Sequence, residues 1–125
     1  MTARIAQREV VSAFLAALRN GDFEGLLAVL DPDVVVRIEE AGARPSAPRE
    51  IRGARNWAKG ALAFSPMARF VQPMLVNGSV GLVWAPQGRL RRVLRFTLEH
   101  GKIVQAEVIA DPARLRKLEL AALND

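Results

Sequence analysis

The stretch RNGDFEGLLAVLDPDVVVRIEE, Arg19 to Glu40, decides the fold. Asn20-Gly21 reads as a helix C-terminus, because glycine takes the left-handed conformation without a Cβ clash. Asp22 is placed to cap a second helix, its carboxylate accepting the unpaired N–H groups of the first turn. Phe23, Leu26, Leu27 and Leu30 then form one apolar stripe at helical spacing. Pro32 is expected to end that helix, and Asp33 to Glu39 (DVVVRIE) is a β-branched run with strand character.

On the N-terminal side, residues 3–19 place Ala6, Val10, Ala13, Phe14, Ala17 and Leu18 on one side of a helix. Arg4, Gln7, Arg8, Ser12 and Arg19 fall mostly on the other, and Thr2 is a candidate cap. On the C-terminal side, EEAGARPSAPREIRG (39–53) carries Gly42, Pro45 and Pro48 and predicts a loop. Gly53 to Phe64 predicts a short helix with Trp57, Ala61 and Phe64 on one face, broken by Ser65-Pro66.

From Met67 the pattern changes to period two. Met67–Val76 predicts a strand in which Pro73 implies an edge or a bulge. Asn77-Gly78 is a hairpin turn signal, Val80–Ala85 a strand, and Pro86-Gln87-Gly88 a further turn. Leu90–Glu99 sets Leu90, Arg92, Leu94, Phe96 and Leu98 against Arg91, Val93, Arg95, Thr97 and Glu99. His100-Gly101 turns the chain into a last strand, Lys102–Ala110. Asp111-Pro112 then opens a terminal helix with Leu115, Leu118 and Leu120 inward. The order of elements predicts one α+β domain over residues 1–125, with a curved antiparallel sheet wrapped around N-terminal helices.

Composition narrows the chemistry. The 125 residues include no cysteine, no tyrosine and one histidine, His100. Disulfides, thiolate sites and paired-histidine metal sites are therefore excluded, and neither a metal nor a cofactor is expected. No apolar run approaches the ~20 residues of a membrane span, and MTARIAQREVV does not resemble a secretory signal. A cytoplasmic location is expected. The net charge is +5, from 18 Lys and Arg against 13 Asp and Glu. Arg89, Arg91, Arg92 and Arg95 alternate onto both sheet faces without interleaved aromatics, so direct nucleic-acid binding is not expected.

The order of elements, with GDFEGLLAVLDPDVVV at the helix–strand junction, resembles the nuclear transport factor 2-like superfamily and its SnoaL-like domains across nearly the whole chain. It is most similar to the SnoaL-like C-terminal domain of certain extracytoplasmic-function sigma factors. MLVNGSVGLV (74–83) and VIADPARLRKLEL (108–120) carry the rest of the likeness. Ala110 to Leu115 stands where those domains often read like NPDKL. Glu40 to Arg44 stands where they often carry a DGGGK-like motif, keeping the charge order but one glycine. The resemblance implies a cone-shaped fold, a homodimer formed through the sheet, and a pocket between sheet and helices. It also implies regulation of promoter-binding regions, hence a sigma factor or RNA polymerase as partner. No helix-turn-helix is legible here, so the chain is expected to be a freestanding relative or an excised domain.

Related folds host isomerases, cyclases and hydrolases. A ketosteroid isomerase-like site needs a carboxylate base near the end of the first strand, where Glu39 or Glu40 falls after a short shift and Ile38 without one. An epoxide hydrolase-like site needs carboxylates and arginine around water. Arg37, Arg95 and Glu107 could converge for this inside the cone, or Arg95 and Glu107 could pair across strands on the outer face. The candidate catalytic residues are thus Arg37, Glu39 and Glu107, with Asp33 as a further carboxylate. Trp57, Phe64, Met67, Phe70, Met74, Trp84 and Phe96 are the candidate lining of a pocket for a small apolar ligand, or the filling of a closed cone. The favoured reading is a regulatory or ligand-binding module. The alternative is a small isomerase, cyclase or hydrolase.

Overall fold

The computed structural model describes residues 2–40 and 49–123, with side chains from Ala6 onward. The first helix, α1 (Thr2–Asn20), ends as Gly21 at φ 63° reverses the chain. Asp22 N–H donates to the Ala17 carbonyl at 2.8 Å and Gly21 N–H to that of Leu18 at 3.2 Å, which satisfies two terminal carbonyls. Asp22 caps α2 (Phe23–Val29) by accepting from Gly25 N–H at 2.9 Å. That helix ends two residues earlier than Pro32 predicts. Leu30 is already extended and opens β1 (Leu30–Glu40). Pro32, which has no N–H to give a ladder, sits in the irregular part of β1 where the register with its neighbour shifts, between Leu30 and Val35.

The expected loop over 39–53 is largely strand where it is described. Glu39 and Glu40 finish β1, and β2 (Arg49–Arg52) returns antiparallel to it, pairing Ile38 with Arg49 and Val35 with Arg52. Backbone pairing with a long neighbour outweighs the weak strand propensity of this segment. Next come α3 (Ala54–Leu62), a 3₁₀ turn at Ser65–Phe70, and the hairpin of β3 (Val71–Val76) and β4 (Ser79–Trp84). Asn77 and Gly78 form its turn at φ 49° and 87°. The strand expected from Met67 therefore starts four residues later. The last hairpin joins β5 (Arg92–Glu99) to β6 (Lys102–Ala110) through His100 and Gly101, again both at positive φ. The expected terminal helix is a single turn, α4 (Pro112–Leu115), because the chain leaves it to add β7 (Leu120–Ala121) beside β3.

The architecture is α+β, with helices against a curved sheet, as the sequence predicts. The sheet order is β2-β1-β6-β5-β4-β3-β7. Its ladders are antiparallel except at β1–β6, which runs parallel and makes the sheet mixed. The proline in β3 is tolerated because β7 pairs only with Leu75 and Val76, leaving Pro73 on an open edge.

Strand parity divides the sheet. Val34, Val36, Ile38, Leu82, Phe96, Ala106 and Val108 face the helices and join the main core. Helix α1 meets them with Val11, Phe14, Leu15, Ala17 and Leu18, all buried. The buried stripe of α1 is rotated from the expected one: Ala6 and Ala13 are exposed, while Val11 and Leu15 are inside. Large side chains fill the space between helix and sheet, and alanines tolerate either side. Two polar residues of α1 help fix its position. Gln7 Nε2 donates to the Val80 carbonyl at 3.2 Å, and Arg19 donates to the carbonyls of Ala68 and Val71.

On the other face, Val76, Val83, Val93 and Ile109 form a second cluster under Leu115, with Leu118 and Leu120 packed against it. The C-terminal segment is fastened there. Asn77 N–H donates to the Glu119 carbonyl, and Glu119 N–H donates to Asn77 Oδ1, each at 2.8 Å.

Phe14 stands at the centre of the main core, stacked on Trp57 at 5.2 Å and tilted against Phe96 at 5.4 Å between centroids. Phe14→Ala should cost about 3–5 kcal/mol, read as a lower urea midpoint with unchanged slope. A loss below about 1 kcal/mol would show that the core does not depend on this ring.

Candidate functional site

Two concavities flank the sheet. The inner one, about 180 Å³, lies between the sheet and α1 and α3. Phe14, Trp57, Ala61, Phe64, Leu82, Trp84 and Leu94 make it largely apolar, and Arg49 and Arg92 add charge. Parity explains both arginines. Arg92 shares a face with Leu94 and Phe96, and Arg49 shares one with Ile51. Arg49 stands at the solvent end, 3.5 Å from Glu40. The Arg92 guanidinium lies 5.6 Å from the Phe64 centroid and 5.9 Å from that of Trp84. Those two rings meet edge to face at 4.9 Å. Trp84 Nε1 is buried and has no hydrogen-bond partner among the described residues. Leaving such a donor unpaired costs about 1–3 kcal/mol.

The outer concavity, about 420 Å³, is a trough on the opposite face lined by Ser79, Gly81, Arg95, Thr97, Gln105 and Glu107. Glycine forms part of its floor because the strands come close: a Cβ on Gly81 would lie 2.6 Å from the Leu94 carbonyl oxygen. Three ladders align Glu50, Arg37, Glu107 and Arg95 in one row across β2, β1, β6 and β5. Charge alternates along this row. Arg37 Nε is 3.7 Å from Glu50 and Arg95 Nη1 is 3.6 Å from Glu107.

The candidate catalytic residues therefore do not meet inside the cone. Arg37, Glu39 and Glu107 share the parity of Val35 and Ile109 and point away from the helices. Glu39 is held by Arg114, whose Nη1 lies 2.6 Å from both carboxylate oxygens. Asp33 and His100 are exposed. None of these groups lines the inner cavity. Of the candidate pocket residues, Trp57, Phe64 and Trp84 line the inner cavity. Phe96 packs behind it on Phe14. Met67 and Phe70 sit on the 3₁₀ turn, 41% and 45% exposed, and Met74 packs with the second cluster. Ala41 to Arg44, the counterpart of the glycine-rich motif, lie outside the described residues, as does the side chain of the candidate cap Thr2. No group of three His, Asp or Glu side chains suited to a metal ion occurs among the described residues. No described helix is long and apolar enough to cross a membrane.

Sequence reasoning missed Arg92 and Arg49 as part of the inner site, and Arg114 as the partner of Glu39. For Arg92 the signal was present, since its spacing from Leu94 and Phe96 already set it on their face. Arg114 could not be read, because its partner lies 75 residues away.

The same architecture occurs in known proteins. A solved structure of the extracytoplasmic function sigma factor SigJ of Mycobacterium tuberculosis superposes with a TM-score of 0.72 at 29% identity, covering 88% of this chain and 44% of that one. The chain has the nuclear transport factor 2-like fold. An NTF2-like protein of Burkholderia xenovorans shares it at a TM-score of 0.60 and 22% identity, covering 91% of this chain and 95% of its own. So does a putative polyketide cyclase of Xanthomonas campestris, at 0.54 and 17%, covering 90% and 95%. At those identities the likeness concerns the fold alone. In sequence, the ECF RNA polymerase sigma factor SigJ of Mycobacterium tuberculosis is 29% identical over a 119-residue alignment that covers 86% of this chain and 38% of SigJ. The likeness to SigJ is to its C-terminal, SnoaL-like domain. The chain thus spans well under half of the relative it matches. No family model matches it.

Glu39 and Arg114 are about one third exposed, at 30% and 38%, so water screens their attraction. A double-mutant cycle with Glu39→Gln and Arg114→Gln should give a coupling of about 0.5–1 kcal/mol, falling in high salt. Coupling of 3 kcal/mol or more would mean that this pair, rather than the apolar cluster, secures the C-terminal turn.

Proposed function

We propose that this chain is a SnoaL-like regulatory module, acting in the cytoplasm, that binds a small apolar molecule in the inner cavity. Binding there would be passed on to a protein partner of the sigma factor or RNA polymerase class. The inner cavity carries the reading, because its two walls come from separate layers, Trp84 from the sheet and Trp57 from α3. A guest touching both would tie helix to sheet and so favour one arrangement of the module over another. The likeness to SigJ supports the partner class. Glu39 and Glu107 lie half-buried on the face away from the inner cavity and Asp33 is exposed, which weighs against the isomerase, cyclase or hydrolase reading, since that needs a carboxylate beside a sheltered substrate.

The reading is tested with a neutral apolar probe. Toluene should quench or shift the emission of Trp57 and Trp84 saturably, and native mass spectrometry should show one guest per chain. Ala61→Phe, placed on the α3 wall, should fill the cavity and abolish binding while the chain stays folded. Binding that persists in Ala61→Phe would move the guest elsewhere.

A homodimer through the outer face belongs to the same proposal. The row Glu50–Arg37–Glu107–Arg95 reads minus, plus, minus, plus. A two-fold axis lying in the interface, perpendicular to that row, would therefore set each acid opposite an arginine of the second copy. Sedimentation at low salt should show a dimer, and Arg95→Glu should weaken it at least roughly tenfold, as like charges then face each other. An unchanged dimer in that variant would place the interface on another surface.

A further inference from the structure

The inner cavity is not purely a hydrocarbon site. Arg92 reaches its lining with a full charge, yet among the described residues it forms no ion pair. Its contacts are the faces of Phe64 and Trp84. With its Cζ over these rings and no carboxylate partner among the described residues, the guanidinium has N–H groups to offer, and a carboxylate fits that fork in bidentate fashion. Arg49 adds a further positive charge at the open end, only partly offset by Glu40 at 3.5 Å. Two cations at one otherwise apolar cavity gain nothing from a neutral hydrocarbon guest beyond its contact with the apolar walls. They suit an apolar molecule that ends in an anion.

We propose that the ligand of the inner cavity is a small apolar monocarboxylate, its body among Trp57, Phe64 and Leu82 and its carboxylate at Arg92. This rests on the reading of the cavity as a binding site. Size sets the class more narrowly. An apolar cavity of ~150 Å³ accommodates benzene, so the 180 Å³ here admits about one ring with a short acid arm, or a short fatty chain. Burial of the body supplies affinity. The charge-assisted bond at Arg92 supplies discrimination, because a neutral analogue leaves the arginine without a partner.

The test compares phenylacetate, phenylacetamide and toluene, by calorimetry and by the emission of the two tryptophans, both of which line the cavity. Phenylacetate should bind at least roughly tenfold more tightly than phenylacetamide, the factor that one charge-assisted hydrogen bond commonly supplies. Its affinity should fall with added salt. Arg92→Gln should remove the preference for the acid over the amide. Arg92→Lys, which keeps the charge without the fork, should retain part of the preference, and it guards against misfolding of the glutamine variant. Equal binding of acid and amide, or a preference that survives Arg92→Gln, overturns the monocarboxylate while leaving the cavity as a binding site. If none of the three probes binds, the binding reading falls and the monocarboxylate falls with it.

Discussion

The packing of α1 into the hollow of the sheet is the contact on which the rest of the structure depends. Phe14 is 1% exposed and touches a ring from α3 and a ring from β5, so one side chain ties three elements together. Burying each such aromatic removes roughly 150–250 Å² from water, worth several kcal/mol at about 25 cal/mol per Å². Once that face of the sheet is committed to the helix, alternation assigns every other strand residue to the inner or the outer side. A slip of one residue in β5 would bring Arg95 into the core and turn Phe96 out to solvent.

That commitment also sorts the charges. No charged or polar residue is fully buried among the described residues, and the ionic groups occupy two kinds of place. On the outer face they form an alternating row beside an apolar cluster that the C-terminal segment covers. On the inner face only arginines accompany the aromatics, and the acid at that end, Glu40, pairs with Arg49 at the rim. The inner cavity is therefore electropositive without being an acid–base centre. The outer trough holds both signs but lies open to water, where charges are screened and weak.

Sharing an architecture with a sigma factor and a protein described as a putative polyketide cyclase says little about chemistry, since one scaffold serves many functions. What differs is the lining. Here a half-open space of about 180 Å³ is lined by two tryptophans, two phenylalanines and two arginines, and one of these, Arg92, lies over the rings of Phe64 and Trp84. On the proposed reading, such a surface would take an amphiphile by its two ends. Because α3 contributes one wall and the sheet the other, a guest there would bear on the contact between layers, as the proposed regulatory role requires.

Local signals settled the elements whose causes are local. Gly21 and Asp22 carry their own hydrogen bonds to neighbours within five residues, and Asn77-Gly78 and His100-Gly101 make turns that need positive φ. Lys102–Ala110 is read to the residue because turn residues bound it on both sides, His100-Gly101 before and Asp111-Pro112 after, although a register shift near Val104 interrupts its alternation. Where a distant partner decides, the sequence falls short. Arg49–Arg52 is a strand because β1 lies beside it, and residues after Leu115 leave the helix because β3 has a free edge. The α+β architecture and the aromatic trio Trp57, Phe64 and Trp84 were legible from pattern alone. Which face of the sheet looked inward was not, since period two is the same for both. Only the docking of α1 broke that symmetry, turning Glu39 and Glu107 outward and Arg92 in.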